Sequence, residues 1–450
     1  MASSTFQTES FVSSRSRVSR DWPRRIAILN DYVRIPYANG SSFASQLLYR
    51  EFRKRGHDVV VIGPHDPDAR AAELPREHVS LPSLPLRNHP GVRLALPSRA
   101  ALDELMRDPP DVVLGQTCSG LLELGAWMRQ RLGVPFLCVN TVHLPSVYNV
   151  MLPDSLLNNE TVRGIFSERL IPFAERQSAR LYDQSDGLIV LSSGLASYWR
   201  ERGVGAPIFV IPRCIEPRLF DVTARRDPFP AGTQRGRRLL VVCRHSREKN
   251  VERLLEVFAR WIAPAVAGST LTLVGDGPDH DAFRARAALL GVADRTHFVG
   301  EQSASDVAAW YQHADVFVYA SLSETYGQVV SEAMWSGLPT VAFEDGMGVS
   351  QQIESGLNGV LVPPGPDETA ADWRFAVEVA GLLRDPARRR ALGAAAQRLT
   401  RERSDIDASI ERYYAAFEAA REHAARRVAH ALTHRRQRHA SRAQRRRGLP

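Results

Sequence analysis

Short apolar segments alternate with amphipathic segments along most of this chain. The apolar runs are four to six residues long and rich in Val, Ile and Leu, which is typical of strands buried on both faces of a parallel sheet. Between them, apolar residues recur at spacings of three and four, which predicts helices packed on that sheet. The β–α alternation occurs twice, so the pattern predicts two doubly wound α/β domains.

The first array covers residues 24–215. Its predicted strands are Arg25–Leu29, Asp58–Ile62, Val112–Gly115, Pro135–Val139, Leu188–Leu191 and Ile208–Ile211. A glycine-bearing loop over 36–42 follows the first strand, and helices are predicted over 43–55, 98–107, 119–132, 155–183 and 194–202. Residues 216–236 carry prolines, arginines and glycines without periodicity, which indicates a linker.

The second array covers residues 237–400. Its predicted strands are Arg238–Cys243, Thr270–Val274, His297–Val299, Val316–Ala320, Thr340–Phe343 and Gly359–Val362. Helices are predicted over 250–262, 280–290, 304–314, 327–337 and 369–383.

A further helix over residues 401–425 carries one apolar stripe, formed by Ile406, Ile410, Tyr413, Phe417, Ala420 and Ala424. We expect this stripe to pack back across the first domain, because an apolar stripe must be covered. The two domains then face each other across a cleft between the carboxyl ends of their strands, where doubly wound sheets place their ligands.

The net charge of +8 is concentrated at the C-terminus. Residues 421–450 hold ten arginines and one acid, Glu422, so the other 420 residues sum to −1. The basic tail, residues 426–450, could dock on an anionic membrane surface, bind nucleic acid, or be a solvated extension. It contains no aromatic residue for stacking on bases, which makes nucleic acid an unlikely ligand.

The N-terminal residues 1–23 are rich in Ser and Arg, which predicts disorder. They contain no apolar secretory core, and no run along the chain approaches the ~18 apolar residues that a membrane span needs. The four cysteines show no C-x-x-C spacing and are expected to be reduced thiols. We therefore expect a cytoplasmic protein, peripheral on the inner face of the membrane if the tail docks there.

The segment S-E-T-Y-G-Q-V-V-S-E-A-M-W-S-G-L-P-T-V places two glutamates around one strand-to-helix junction. Glu324 falls in the loop after the predicted strand, and Glu332 lies about two turns further on, inside the helix. The backbone N–H groups of Tyr326, Gly327 and Gln328 at the helix start suit a phosphate. A polyol bearing a diphosphate fits these features together.

Lysine is rare in this chain. Only Lys54 and Lys249 are lysine among 58 basic residues, so a role for a compact point charge at Lys249 is favoured. Arg244 lies five positions before it, in the loop after the first strand of the second array. Two cations at a strand end can straddle a pyrophosphate and stabilise its charge as it departs.

These segments resemble the nucleotide-binding half of the retaining family 4 glycosyltransferases of GT-B architecture. The resemblance is carried by C-R-H-S-R-E-K-N-V-E-R-L-L-E-V-F, L-V-G-D-G-P, the glutamate segment and S-G-L-N-G-V-L-V-P-P-G. The first array resembles the family in R-G-H-D-V-V-V-I-G-P and in I-V-L-S-S-G-L followed by V-I-P. The resemblance spans about residues 25–400.

The resemblance implies roles for the charged residues. Arg244 and Lys249 would hold the diphosphate of the donor, Glu332 would bind the ribose hydroxyls, and Glu324 would meet hydroxyls of the transferred sugar. An ionised carboxylate only accepts hydrogen bonds, so a vicinal diol suits Glu332. The structural alternative for Glu324 is a charge that satisfies a helix dipole.

Three further residues are implied by the family pattern. Gly275, in Gly275-Asp276-Gly277-Pro278, would pass beneath base and ribose, and alone this turn is weak evidence. Gly40 in the 36–42 loop would let backbone approach the phosphates. His143, just after the fourth predicted strand, would face the donor sugar, although a lone loop histidine is more often structural.

The chain departs from the family pattern at three places. Cys243 stands where glycine is usual, Ser350 and Gln351 stand where Pro-Glu is usual, and the segment Arg213-Cys214-Ile215-Glu216 differs from Asn, Gly and Asp. These changes concern the identity of the donor sugar more than the chemistry.

The sequence therefore predicts a retaining transferase that moves a hexose from a UDP-sugar or GDP-sugar to an acceptor hydroxyl, on a membrane lipid or a glycan. No metal or other cofactor is required, because Asp279-His280-Asp281 and Asp66-Pro67-Asp68 fit a helix start and a loop. The acceptor is expected near Tyr37 and Tyr148. The alternatives are a GT-B nucleotide-sugar epimerase or hydrolase, and a non-enzymatic binder of anionic surfaces with a vestigial cleft.

Overall fold

The structure is a computed structural model that describes residues 22–31, 40–70, 74–85, 93–96, 99–117, 120–142, 160–221 and 226–446. Its strands are β1 Arg25–Asn30, β2 Asp58–Pro64, β3 His78–Leu81, β4 Ser83–Pro85, β5 Arg93–Ala95, β6 Val112–Gln116, β7 Phe136–Val139, β8 Gly187–Val190, β9 Ile208–Val210, β10 Arg238–Val242, β11 Thr270–Val274, β12 Thr296–Gly300, β13 Val316–Tyr319, β14 Thr340–Phe343 and β15 Val360–Val362.

The α-helices are α1 Gly40–Lys54, α2 Arg99–Arg107, α3 Leu121–Leu132, α4 Glu160–Ile165, α5 Ile171–Asp183, α6 Ser193–Glu201, α7 Pro217–Phe220, α8 Val251–Val257, α9 Ala263–Ala265, α10 His280–Leu289, α11 Ala304–His313, α12 Gln328–Trp335, α13 Gly348–Gln352, α14 Glu368–Arg384, α15 Pro386–Arg403 and α16 Ile406–Arg446. Single π turns, Phe166–Leu170 and Phe258–Ile262, join α4 to α5 and α8 to α9.

Each domain is built on one parallel sheet. The first sheet has the strand order β3-β2-β1-β6-β7-β8-β9, and the second has β12-β11-β10-β13-β14-β15. In each sheet, the chain first adds strands on one side of its earliest strand and then adds the remaining strands on the other side. This reversal lies beside β1 in the first sheet and beside β10 in the second. The predicted pair of doubly wound, Rossmann-like domains is therefore confirmed, and each has a switch point where a ligand can enter between diverging loops.

The prediction missed the edge of the first domain. Strand β3 and the antiparallel hairpin of β4 and β5 are short and partly exposed, so they lack the continuous apolar run by which the other strands were found. Residues Gly40–Ser42 were expected in a loop, but they form the first turn of α1.

Helix α16 crosses back onto the first domain, as the apolar stripe predicted. Ile410, Tyr413 and Phe417 are buried in one cluster with first-domain residues such as Ile26 and Phe52. Interleaved small residues, Ala416 and Ala420, are fully buried and let the helix lie close to the sheet. The helix does not end near residue 425 but continues to Arg446, through most of the segment expected as a basic tail.

A buried charge fixes α16 to the first domain. Asp186 is fully buried at the start of β8 and accepts hydrogen bonds from Arg129 at 3.0 Å through both carboxylate oxygens. Arg427, at 2.9 Å, and His423, with Nδ1 at 3.1 Å, reach the same carboxylate from α16. Because a fully buried carboxylate needs compensating charge, this cluster specifies where the helix docks.

The domains touch across the cleft between their carboxyl edges. The N–H of Ser193 donates to Oε1 of Gln351, and Oγ1 of Thr325 donates to the carbonyl of Thr141 at 3.4 Å. Gly194 packs so closely on Gly346 that a Cβ at position 194 would lie 2.2 Å from the carbonyl oxygen of Gly346. Among the residues described, no helix is long and apolar enough to cross a membrane.

Candidate active site

The loops that follow β10 and β13 form the centre of the site, because these strands are neighbours at the switch point of the second sheet. After β10, the chain makes a 3-10 turn over Arg247–Lys249 and then a left-handed residue, Asn250, with φ 56°. Nδ2 of Asn250 donates to the carbonyl of Ala320 at 3.3 Å, and Oγ of Ser321 donates to the carbonyl of Glu248 at 3.3 Å. These two bonds hold the loops side by side.

The joined loops bring Lys249 and Glu324 into an ion pair. Nζ of Lys249 lies 2.6 Å from Oε1 of Glu324, and the side chains are 21% and 13% exposed. The hydroxyl of Tyr319, the last residue of β13, donates to the same oxygen at 2.8 Å. The site therefore holds a largely desolvated cation and anion in direct contact.

The environment fixes the charge states of this pair. Burial by itself would raise the pKa of Glu324, but the charge of Lys249 and hydrogen bonds from Lys249, Tyr319 and Ser321 outweigh it and lower that pKa. Burial likewise opposes the charge of Lys249, and the attraction of Glu324 still raises the pKa of its ammonium. Both groups are therefore ionised at neutral pH.

Glu332 lies on α12, one turn after the helix begins at Gln328. Oε2 of Glu332 accepts a hydrogen bond from the hydroxyl of Tyr311 at 3.1 Å. Burial raises the pKa of Glu332 to about 7, although hydrogen bonds from Tyr311 and Gln328 oppose the rise. Unlike Glu324, this carboxyl has no cationic partner among the residues described, so it titrates near neutral pH.

The start of α12 has the geometry expected for an anion site. Gly327 precedes the helix with φ 80°, which a residue with a Cβ adopts only at a cost. Tyr326 is buried, and its backbone packs against Gly348, where an added Cβ would lie 2.4 Å from the Cα of Tyr326. The first N–H groups of α12, beginning at Gln328, lack partners within the helix, as at every helix start.

Gly275 supports the loop that carries the cations. With φ +133°, it packs so tightly that a Cβ would lie 1.9 Å from the carbonyl oxygen of Cys243. The next glycine, Gly277, has the same relation to His245, at 2.4 Å. The loops after β10 and β11 therefore lie backbone against backbone, and Gly275 is required by this packing whatever ligand binds.

The other residues singled out in the sequence have different settings. Arg244 is exposed and makes no hydrogen bond or ion pair with a described residue, so its guanidinium is available to a ligand. Gly40 is the first residue of α1, and residues 32–39, which precede it, are outside the described ranges. His143, Tyr37 and Tyr148 lie outside the described residues.

The two D-x-D segments have structural partners. Asp279 precedes α10 and accepts a hydrogen bond from the N–H of Arg247 at 2.9 Å, and Asp66 accepts one from the N–H of Asp68 at 3.1 Å. Within the described ranges, no group of three or more His, Cys, Asp or Glu side chains could hold a metal ion.

The departures from the family pattern have local explanations. Oγ of Ser350 accepts hydrogen bonds from the N–H groups of Asp345, at 3.0 Å, and Gly346, at 2.9 Å, and so closes the loop before α13. Gln351 makes the contact with Ser193 across the cleft. Cys243 is buried, and burial raises the pKa of its thiol to about 12, so it is not a thiolate.

Sequence reasoning missed the two tyrosines that hold the carboxylates. Tyr319 ends β13 in V-F-V-Y and Tyr311 lies in α11, so both read as core aromatics. Both are buried, and only their hydroxyls reach the site. For Tyr319, the signal was a hydroxyl at the carboxyl end of a buried strand. Apolar periodicity does not distinguish such a tyrosine, or Tyr311 in its helix, from one that only packs in the core.

Family models match most of the chain. The model described as "Glycosyl transferases group 1" matches residues 226–399, and that of a "Glycosyl transferase 4-like domain" matches residues 39–214. The first match covers every strand of the second sheet, and the second covers the strands of the first sheet except β1.

Curated relatives and solved structures agree with these matches. A GDP-mannose-dependent alpha-mannosyltransferase of Mycobacterium tuberculosis (strain CDC 1551 / Oshkosh) is 29% identical over 76% of this chain and 85% of its own. Alpha-monoglucosyldiacylglycerol synthase of Streptococcus pneumoniae (strain ATCC BAA-255 / R6) is 26% identical over 71% of this chain and 70% of its own. The structure of Anabaena HepE in complex with UDP and glucose superposes with a TM-score of 0.66 at 16% identity, covering 88% of this chain and 100% of that one.

Proposed function

Because the chain belongs to the group 1, family 4 glycosyltransferases of GT-B architecture, we propose that it is a retaining hexosyltransferase. It moves a hexose from a UDP-sugar or a GDP-sugar to an acceptor hydroxyl. The observation that carries the proposal is the contact of Lys249 with Glu324 at the switch point of the second sheet, with Glu332 on the helix that follows, α12.

The cations receive the donor diphosphate. Arg244 is exposed and without a described partner, and the side chain of Lys249 is 21% exposed, so both can contact an incoming pyrophosphate. The N–H groups of Tyr326, Gly327 and Gln328 add donors at the start of α12. Charge that develops on the departing diphosphate is thereby stabilised, which is the main contribution that such a site makes to the rate.

The two carboxylates bind different sugars of the donor. Glu332, held by Tyr311, accepts from the ribose hydroxyls. Glu324, held in place by Lys249 and Tyr319, accepts from hydroxyls of the transferred hexose. In this arrangement Gly275 keeps the cationic loop in position below the ribose, while Gly40, at the start of α1, serves the donor from the first domain.

The reaction proceeds by attack on the face from which the diphosphate leaves. The bond between C1 and the phosphate oxygen breaks, the acceptor oxygen bonds to C1 on the same side, and its proton passes to the departing phosphate. Glu324 is occupied by Lys249 and Tyr319, which favours this route over a covalent intermediate on that carboxylate.

The names of two relatives specify GDP-mannose as a donor and a glucosyldiacylglycerol as a lipid product, which supports a GDP-sugar donor and a lipid acceptor for this chain, while a UDP-sugar donor rests on the family resemblance. A lipid acceptor suits the basic C-terminal end of the sequence, where residues 428–450 contain seven arginines and no acid. We propose that this end docks on anionic lipid at the inner face of the membrane, with each cation near the surface adding about 1 kcal/mol. Replacing four arginines by Gln, namely Arg435, Arg436, Arg438 and Arg442, should then abolish cosedimentation with anionic liposomes. Cosedimentation with neutral liposomes should be the same before and after the replacement.

The test of the donor site is a thermal-shift series with UDP, GDP and ADP. Wild type should be stabilised by at least one of them, Lys249→Ala should lose most of that shift, and Lys54→Ala should keep it. Lys54 is a matched control because it is the other lysine of the chain and its side chain is 75% exposed. Failure of all three nucleotides to stabilise wild type would refute the proposal, and release of free nucleotide or an epimer without any acceptor would favour the hydrolase or epimerase alternative.

A further inference from the structure

Arg213 is a partly buried arginine without a counter-charge in contact. Its Nε is shielded from solvent, and its guanidinium makes no hydrogen bond or ion pair with any residue that the structure describes. Other arginines with little exposed surface are paired: Arg238 with Asp227 at 2.8 Å, and Arg253 with Asp372 at 2.6 Å. Because a desolvated charge is costly unless it is paired, the setting of Arg213 lacks an anion.

The position of Arg213 is fixed by its neighbours along the chain. It lies in the loop after β9, and Ile211 and Ile215 on either side of it are 2% and 1% exposed. The loop is therefore anchored on both sides of Arg213, which limits the movement of its backbone.

The surroundings of Arg213 belong to the candidate active site. Burial lowers the pKa of its guanidinium, whereas Tyr413, Tyr326, Glu324 and Cys214 lie near enough to act electrostatically in the opposite direction. Tyr326 and Glu324 belong to the second domain, and Tyr413 belongs to α16. Glu324 is a neighbour and not the missing partner, since its Oε1 is already bound by Lys249 and Tyr319.

We propose that Arg213 forms an oxyanion subsite beside Glu324, and that it binds a carboxylate or phosphate group carried by the transferred sugar or by the acceptor. A guanidinium binds such a group through two parallel N–H donors, which gives both affinity and orientation. The inference rests on the proposed function, in which Glu324 marks the sugar and the diphosphate is held by Arg244 and Lys249. Arg213 approaches from the first domain and so selects substrates by charge.

The experiment compares anionic probes with their neutral counterparts. Glucuronate against glucose tests the transferred sugar, and inositol 1-phosphate against inositol tests the acceptor, each with and without saturating UDP or GDP. Binding is measured by ligand-observed NMR or calorimetry for wild type, Arg213→Gln, Arg213→Lys and the control Arg50→Gln. Arg50 is a suitable control because it pairs with Glu216 of the same loop at 3.0 Å.

In one of the two arms, wild type should prefer the anionic probe by about tenfold or more, as expected for a hydrogen bond between charged groups. Arg213→Gln should reduce that ratio to near one, Arg213→Lys should retain part of it, and Arg50→Gln should leave it unchanged. The affinity for UDP or GDP should be the same in Arg213→Gln as in wild type. Without ligand, the melting temperature of Arg213→Gln should equal or exceed that of wild type, because an unpaired buried charge is removed.

Absence of an anion preference in both arms would overturn the proposal. So would a lower nucleotide affinity in Arg213→Gln, which would assign Arg213 to the diphosphate, or a clearly lower melting temperature, which would make it a structural link between the domains. If no nucleotide binds wild type, the proposed function fails, and the probes measured without nucleotide still decide the role of Arg213.

Discussion

Replacing Lys249 by Met should destabilise the second domain in a pH-dependent way. At the observed 2.6 Å, the attraction between Lys249 and Glu324 is about 6 kcal/mol for an effective dielectric constant of about 20. The cost of burying both charges offsets roughly half of it, and removing one partner leaves the other charge buried. We therefore expect the free energy of unfolding to fall by about 3 kcal/mol at pH 7.5.

The pH dependence follows from the two pKa values of Glu324. In wild type the folded pKa is lowered, so the carboxylate stabilises the fold above its unfolded pKa, and this contribution is lost as the pH falls through the folded value. In Lys249→Met the carboxyl stays buried without its cation, which raises its pKa above the ordinary value. The variant therefore gains stability on acidification, and its difference from wild type should be smaller at pH 5 than at pH 7.5.

Urea unfolding followed by tryptophan fluorescence at both pH values measures this difference, and Lys54→Met is the control. The double variant Lys249→Met with Glu324→Gln should recover about 2 kcal/mol relative to the sum of the single changes, as expected for residues in contact. A loss below about 0.5 kcal/mol, which is within the range of ordinary surface substitutions, or an equal loss at both pH values, would show that the pair of Lys249 and Glu324 does not stabilise the fold.

Three further outcomes are expected. The affinity for the donor nucleotide should fall about tenfold between pH 8 and pH 6, because the pKa of Glu332 is about 7 and only its ionised form accepts both ribose hydroxyls. Calorimetry with Glu332→Gln should show weaker binding that does not depend on pH in this way. If the pH profile of Glu332→Gln equals that of wild type, Glu332 does not bind the ribose. Gly275→Ala should lower the free energy of unfolding by more than about 3 kcal/mol, because the new Cβ would meet the carbonyl of Cys243. Gly291→Ala is the control, since Gly291 also has a positive φ but has open space around it, and it should lower that free energy by about 1–2 kcal/mol. Equal melting temperatures of the two variants would show that the contact with Cys243 does not matter. Asp186→Asn should lower the free energy of unfolding by about 3–5 kcal/mol and increase hydrogen exchange over residues 421–427, because Arg129 and Arg427 lose the negative charge that they contact. Glu418→Gln is the control, since Glu418 forms a surface pair with Arg421, and it should change both quantities little.

The sheets and the placement of Glu324 were accessible from sequence because buried parallel strands are continuous apolar runs, and their ends locate the loops. The same logic failed for β3 and the hairpin of β4 and β5, which are short and half exposed. It placed Gly40 in a loop, since a glycine after a strand usually marks a turn, although here it begins α1. The length of α16 was also underestimated, because arginines that read as a solvated tail are compatible with a helix.

The contacts within the site needed the structure. Sequence spacing indicated that Arg244, Lys249, Glu324 and Glu332 lie at one sheet edge, but it assigned Lys249 to a ligand without showing that Glu324 is its partner in the protein alone. That pairing depends on the parallel neighbours β10 and β13, which are more than 70 residues apart in the chain. Arg213 was noticed only as a departure from a pattern, since its lack of a partner is a property of three-dimensional packing.

Transfer of a hexose with retention, from a nucleotide-sugar held by Lys249, Glu324 and Glu332, can be followed by proton NMR of the sugar product. The donors are UDP- and GDP-hexoses carrying an α-linked sugar, and wild type and Lys249→Ala are measured in parallel. Wild type should first form the α-anomer from at least one donor, and Lys249→Ala should be slower by at least about a hundredfold. A β-anomer formed first, or equal rates in the two proteins, would contradict this proposal.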